Sequence, residues 1–174
     1  MGKSKIYVNG KLLAEHFGGY LPVVVDVTDA LEFGKENLIA VWADNSNDPN
    51  YPPGKQQEVL DFTYFGGIYR DCWLIAHNQV FITDPNYENE EAGGGLFIAY
   101  NNVSDHSAEV LLKIQIRNSG RKAFKGVVEY ELQQPDGQQV ASLNSVIRIK
   151  PGKSTYSSDK PVSYTHLRAH ETPE

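Results

Sequence analysis

The chain has 174 residues, 40% hydrophobic and 22% charged, a composition that suits one or two small globular domains with buried cores. Its net charge of -6 and the lack of a strong Lys/Arg cluster argue against nucleic acid or an anionic membrane as partner, because both require a basic face. A single cysteine makes neither an intramolecular disulfide nor a multi-thiolate zinc site, and no segment approaches the roughly 20 apolar residues of a membrane helix.

Along the chain the dominant period is two. Ile6 and Val8 alternate with Tyr7, and Asn9-Gly10 follows, a hairpin signal because both turn positions favour positive φ. Lys11 to Ala14 is expected to return as the partner strand. Val23, Val25 and Val27 alternate with Val24 and Asp26. Thr28 to Leu31 suits one helical turn capped by Thr28 or Asp29. Leu38 to Ala43 is nearly continuous and apolar, the pattern of a strand buried on both faces. Asp44 to Glu58 reads DNSNDPNYPPGKQQE, polar with three prolines, a loop long enough to suggest function or disorder. Trp73 to Ile75 is the next expected strand, with Cys72 as a buried residue at its start.

A second block opens near residue 79. Val80 to Ile82 is its first strand, and Asp84 to Gly95 is irregular, ending in Gly93-Gly94-Gly95. Leu96, Ile98 and Tyr100 alternate, as do Val110, Leu112, Ile114 and Ile116, and Val128, Tyr130 and Leu132. Pro135-Asp136-Gly137 and Pro151-Gly152-Lys153 are turns, flanking strands at Val140 to Leu143 and Val146 to Ile149. Short strands at this spacing read as a β-sandwich. From about Ser163 the pattern breaks, and the ending resembles translated sequencing-adapter read-through. His166 and His170 are therefore not read as a metal pair. No nucleophile elbow, P-loop or dinucleotide fingerprint occurs, and none of the 22 acidic residues stands in a context that marks a catalytic pair.

Four motifs and a fifth, longer one carry a resemblance. They are Tyr7-Val8-Asn9-Gly10-Lys11, Gly18-Gly19-Tyr20-Leu21-Pro22, Asp26-Val27-Thr28-Asp29, Glu36-Asn37-Leu38-Ile39-Ala40-Val41, and Asp61-Phe62-Thr63-Tyr64-Phe65-Gly66-Gly67-Ile68-Tyr69-Arg70-Asp71. In this order they resemble the later part of the sugar-binding domain of family 2 glycoside hydrolases of the β-galactosidase type, over about residues 6–76. The resemblance implies an all-β chain: an N-terminally truncated jelly-roll (galactose-binding-like) domain over residues 1–78, an immunoglobulin-like β-sandwich over 79–162, and a non-native tail over 163–174. It implies a non-catalytic piece of an enzyme hydrolysing terminal β-galactosides, whose retaining mechanism would use two glutamates on a (β/α)₈ barrel outside this chain. The alternatives are a stand-alone carbohydrate-binding module, or a β-glucuronidase or β-mannosidase of the same family.

Residue by residue, the resemblance places Asp61 in contact with the substrate sugar and as a sodium ligand. The bland alternative for Asp61 is a loop carboxylate capping local amides. Arg70 and Asp71 are expected to pair structurally, Gly66 and Gly67 to serve backbone geometry, and at least two of Phe62, Tyr64, Phe65 and Tyr69 to be core. No cofactor is expected in the chain itself; sodium and magnesium, a β-galactoside substrate and homo-oligomerisation are implied for the parent. A bacterial cytoplasmic or periplasmic location fits the low cysteine count.

Overall fold

The computed structural model describes residues 2–62, 65–91, 93–104, 107–158 and 162–164. The chain forms two compact units, residues 1–75 and 76–174, close to the change in pattern read at 78/79.

In the first unit, β1 (Lys3–Val8) and β2 (Lys11–Phe17) form an antiparallel hairpin, and β3 (Ile39–Asp44) pairs with the other edge of β1, giving the order β2-β1-β3. Asn9 and Gly10 turn the hairpin at φ of 50° and 80°. Asn9 does more than turn. Its amide donates to the Ala30 carbonyl (3.0 Å) and to Asn37 Oδ1 (2.8 Å), and its own Oδ1 accepts from the Leu38 amide (3.0 Å). The hairpin tip thereby holds the 3-10 turn Thr28–Ala30 and the start of β3. Val8 at the end of β1 is fully buried.

Several expectations fail here, for one physical reason. β3 forms at the edge of the sheet, yet Ile39, Val41 and Trp42 remain 39–46% exposed rather than buried on both faces. The stretch Cys72 to Ile75 joins no sheet among the described residues, and Cys72 is exposed. Burial of a strand comes from neighbours on its faces, and an apolar run cannot supply those alone. The Val23–Val27 alternation likewise joins no ladder. At the 3-10 turn the cap is Val27 with no side-chain bond, and instead Asp26 Oδ1 accepts from the Thr28 amide (2.9 Å), an Asx-type turn.

The second unit is organised on one long strand, β6 (Ala108–Asn118). Along one edge of β6 run β4 (Val80–Ile82) and β5 (Leu96–Asn101); along the other run β9 (Lys153–Ser158) and β10 (Val162–Tyr164). A separate hairpin pairs β7 (Phe124–Gln133) with β8 (Gln139–Ile149), turned at Asp136-Gly137. The two strands expected at Val140 to Leu143 and Val146 to Ile149 are one continuous β8. Ile114 and Ile116 of β6 pack with Tyr130, Ile147 and Ile149 of the hairpin as the buried core of a sandwich. The Tyr130 hydroxyl donates to Ser157 Oγ (2.7 Å), so the buried phenol is satisfied.

Asp84 caps a four-residue helix, α1 (Pro85–Glu88), by accepting from the Asn86 and Tyr87 amides. The loop that follows is pinned where Tyr156 donates to Glu90 Oε2 (2.6 Å) and Gln115 Nε2 donates to the same oxygen (3.1 Å). The β10 ladder takes in Ser163 and Tyr164, the first residues of the stretch read as a tail; residues 165–174, with His166 and His170, lie outside the described residues.

Candidate functional site

The longest family motif, 61–71, lies wholly in the first unit, with Thr63 and Tyr64 outside the described residues. It follows the polar loop, whose shape is set by short-range bonds. Asp44 Oδ1 accepts from the Ser46 amide (2.7 Å) and Asp48 Oδ1 from the Asn50 amide (3.0 Å). Lys3 Nζ meets Asp48 Oδ2 at 2.6 Å, and Tyr51 stacks on Phe17 with ring centroids 5.0 Å apart and planes 11° from parallel. The hydrogen bond from Lys3, then that from the Asn50 amide, holds the Asp48 carboxyl below the usual carboxylate range; the bond to Asp48 raises Lys3 above the usual lysine value.

Between this loop, the Gly19-Tyr20 segment and the motif lies a cavity of about 290 Å³. Tyr20, Tyr51, Phe62, Phe65 and Tyr69 supply aromatic walls. The Tyr69 hydroxyl donates to the Gly19 carbonyl (3.0 Å), joining the motif to the Gly-Gly-Tyr segment. Gly66 passes so close to Asn45 that a Cβ there would lie 2.7 Å from its Nδ2, and Gly67 takes φ of 77°. Both glycines thus serve backbone geometry, one by close approach and one by conformation.

The expectation that at least two of the motif aromatics are core fails for the three described ones. Phe62, Phe65 and Tyr69 are 48%, 75% and 50% exposed, because they wall a cavity rather than fill an interior. Nor do Arg70 and Asp71 pair: among the described residues, the ion pairs are Lys3–Asp48, Lys5–Glu15, Lys35–Glu32 and Arg117–Glu88. The Arg70 guanidinium instead lies over the Tyr69 ring, 5.2 Å from its centroid.

Asp61 sits in a bend beyond the 3-10 turn Gln57–Val59, exposed. No described residue donates a hydrogen bond to its carboxylate, so the capping role has no counterpart among them. Nothing in the sequence pattern announced Lys3, Phe17 or Tyr51 as parts of the site, since their pairing depends on how the polar loop folds back over the sheet. Among the described residues no three His, Cys, Asp or Glu side chains gather in a metal-binding group.

No protein-family model matches the chain. It is 31% identical over 146 residues to a β-galactosidase of Thermoanaerobacter pseudethanolicus, covering 83% of this chain and 18% of that protein. It is 35% identical over 147 residues to a putative β-glucuronidase of Formosa agariphila, covering 84% and 16%. Of solved structures, a putative β-galactosidase from Bacteroides fragilis superposes with a TM-score of 0.80 at 29% identity over 95% of this chain and 24% of the other. A Bacteroides uniformis β-glucuronidase gives 0.78 at 29% identity, over 94% and 18%. The chain thus spans less than a fifth of the length of the first curated relatives it matches. On these grounds the chain belongs to the family 2 glycoside hydrolases, the family of these β-galactosidases and β-glucuronidases.

Proposed function

We propose that the chain is the non-catalytic sugar-binding and sandwich portion of a glycosidase that hydrolyses terminal β-galactosides, and that Asp61 reaches the substrate. The observation that carries this is the state of Asp61: a carboxylate at the end of a long, internally braced loop, exposed and with no described residue bonded to it. Such a group can accept two hydroxyl hydrogen bonds in charge-assisted geometry, and adjacent sugar hydroxyls present that pair. Structural loop carboxylates normally spend their oxygens on nearby amides, as Asp44 and Asp48 do here.

Sodium and magnesium are proposed for the longer protein. A hard cation takes several oxygen ligands, and the Asp61 carboxylate would supply one of sodium's.

A β-glucuronidase is the second reading, favoured by the several curated relatives of that name at 30–35% identity. Assays on chromogenic β-galactosides and β-glucuronides distinguish the two. The 174-residue chain is expected to turn over neither, and the longer protein that contains it to cleave the galactoside in preference. Turnover by the rigorously purified chain, or a longer protein that cleaves only the glucuronide, overturns the reading.

A further inference from the structure

The cavity in the first unit has no role in the hydrolysis proposed above, and its walls carry a definite chemistry. The aromatic rings of Tyr20, Phe62 and Phe65 are open to solvent although apolar surface of this kind is favourable to bury. Polar side chains of the loop, Asn45 and Asn47 among them, stand beside the rings. Apolar planes with a few placed hydrogen-bonding groups are the usual make-up of a small-molecule site, and about 290 Å³ falls near the lower end of their volumes. A pyranose matches that surface: its C–H face covers an aromatic ring while its hydroxyls meet amides.

Charge narrows the ligand further. Three charged side chains line the cavity: Lys3, Asp48 and Arg70. Lys3 and Asp48 neutralise each other at 2.6 Å. Arg70 has no carboxylate partner among the described residues; its guanidinium lies 5.2 Å from the Tyr69 ring centroid, a contact that uses none of its five N–H donors on a carboxylate. That fork is the complement of a carboxylate.

The walls are also braced before any ligand arrives. The Lys3–Asp48 pair and the Phe17–Tyr51 stack fix one side, and the Tyr69–Gly19 bond fixes another. Gly66 confines the Asn45 amide. Preorganised walls of this kind reduce the ordering cost of binding.

We propose that this cavity is an accessory carbohydrate site that takes a uronic acid residue, with the pyranose against the aromatic walls and its carboxylate on Arg70. It is additional to the sugar contact proposed for Asp61. Binding is read on the 174-residue chain and turnover on the longer protein, so either can fail without the other.

The test is calorimetric titration of the 174-residue chain with methyl β-D-glucuronide, methyl β-D-glucoside and acetate. The uronide is expected to bind at least about tenfold more tightly than the glucoside or acetate, the scale of one charge-assisted hydrogen-bonded pair. Arg70→Gln should erase that preference, and Arg70→Lys, which keeps the charge without the fork, should retain part of it. Circular dichroism confirms that each variant folds. Should Arg70→Gln fail to fold, the unsubstituted chain reads the same charge: added salt weakens uronide binding and leaves glucoside binding unchanged. Absent uronide binding, equal affinity for uronide and glucoside, acetate binding as tight as uronide, salt-insensitive uronide binding, or a preference that survives in folded Arg70→Gln overturns the proposal.

Discussion

The side-chain amide of Asn9 donates to Asn37 Oδ1 at 2.8 Å, joining the hairpin tip to the segment that leads into β3 across 28 positions of sequence. Asn37 is also a local hub: its Oδ1 accepts from the Glu32 amide (2.8 Å), and its Nδ2 donates to the carbonyls of Glu32 and Lys35, each at 3.0 Å. Two of the family motifs are thus one hydrogen-bonded structure.

Asn37→Ala removes every one of these bonds at once. Asn9, Glu32 and Lys35 are exposed and Asn37 is half-buried, so water replaces part of the loss, and the expected destabilisation is about 1–2 kcal/mol. Urea unfolding of the 174-residue chain measures it. An unchanged midpoint would mean that the network forms without supporting the sheet.

Gly66 and Gly67 predict different responses to the same substitution. Gly67→Ala places a Cβ in open space but in the left-handed region at φ of 77°, costing about 1–2 kcal/mol by conformation alone. At Gly67 an asparagine, which tolerates that conformation, should recover part of the loss. Gly66→Ala instead drives a methyl group into the Asn45 amide, and Asn45→Ala in the same chain should relieve it. Thermal unfolding of the single and double variants separates the two causes; a Gly66→Ala defect untouched by Asn45→Ala would contradict the contact.

The Lys3–Asp48 pair sets a pH window. The folded-state value of Asp48 is lowered, so its contribution is present above the ordinary carboxylate value near 3.9 and is lost as pH falls through the lowered one. Lys3 is raised, so its contribution is lost as pH rises above about 10.4 and through the raised value. In Asp48→Asn both limbs should flatten relative to the unsubstituted chain, as read by urea midpoints across pH. Parallel pH curves for the two would show that the pair does not couple to folding.

Turn chemistry and alternation were legible from the sequence because they are local. The Asn9-Gly10 hairpin, the Asp136-Gly137 turn and the β4 to β7 strands appear where period and turn residues indicate, whereas the two runs within Val140 to Ile149 join as one β8. Burial was not local and was misread. Leu38 to Ala43 and Cys72 to Ile75 have core composition, yet their exposure depends on which elements lie beside them. The site was half legible: the motif and the Pro-rich loop do meet at the cavity, but the Lys3–Asp48 pair, the Phe17–Tyr51 stack and the Arg70 placement on Tyr69 arise from tertiary approach. A charge pair adjacent in sequence, Arg70 and Asp71, proved a poor guide: Arg70 sits in a bend and lies over Tyr69 instead.

Asp61→Asn in the longer protein separates a sugar contact from a structural role for this carboxylate. The amide keeps the size of the side chain and loses its charge and one acceptor. Loss of a charged hydrogen bond to the sugar costs about 1.5–3 kcal/mol, or roughly 10- to 150-fold in kcat/KM on a chromogenic β-galactoside. Because no described residue bonds to the carboxylate, Tm should stay unchanged. A kcat/KM within about twofold of the unsubstituted enzyme, or a lowered Tm with unaltered kinetics per folded molecule, would contradict the assignment of Asp61 to the sugar.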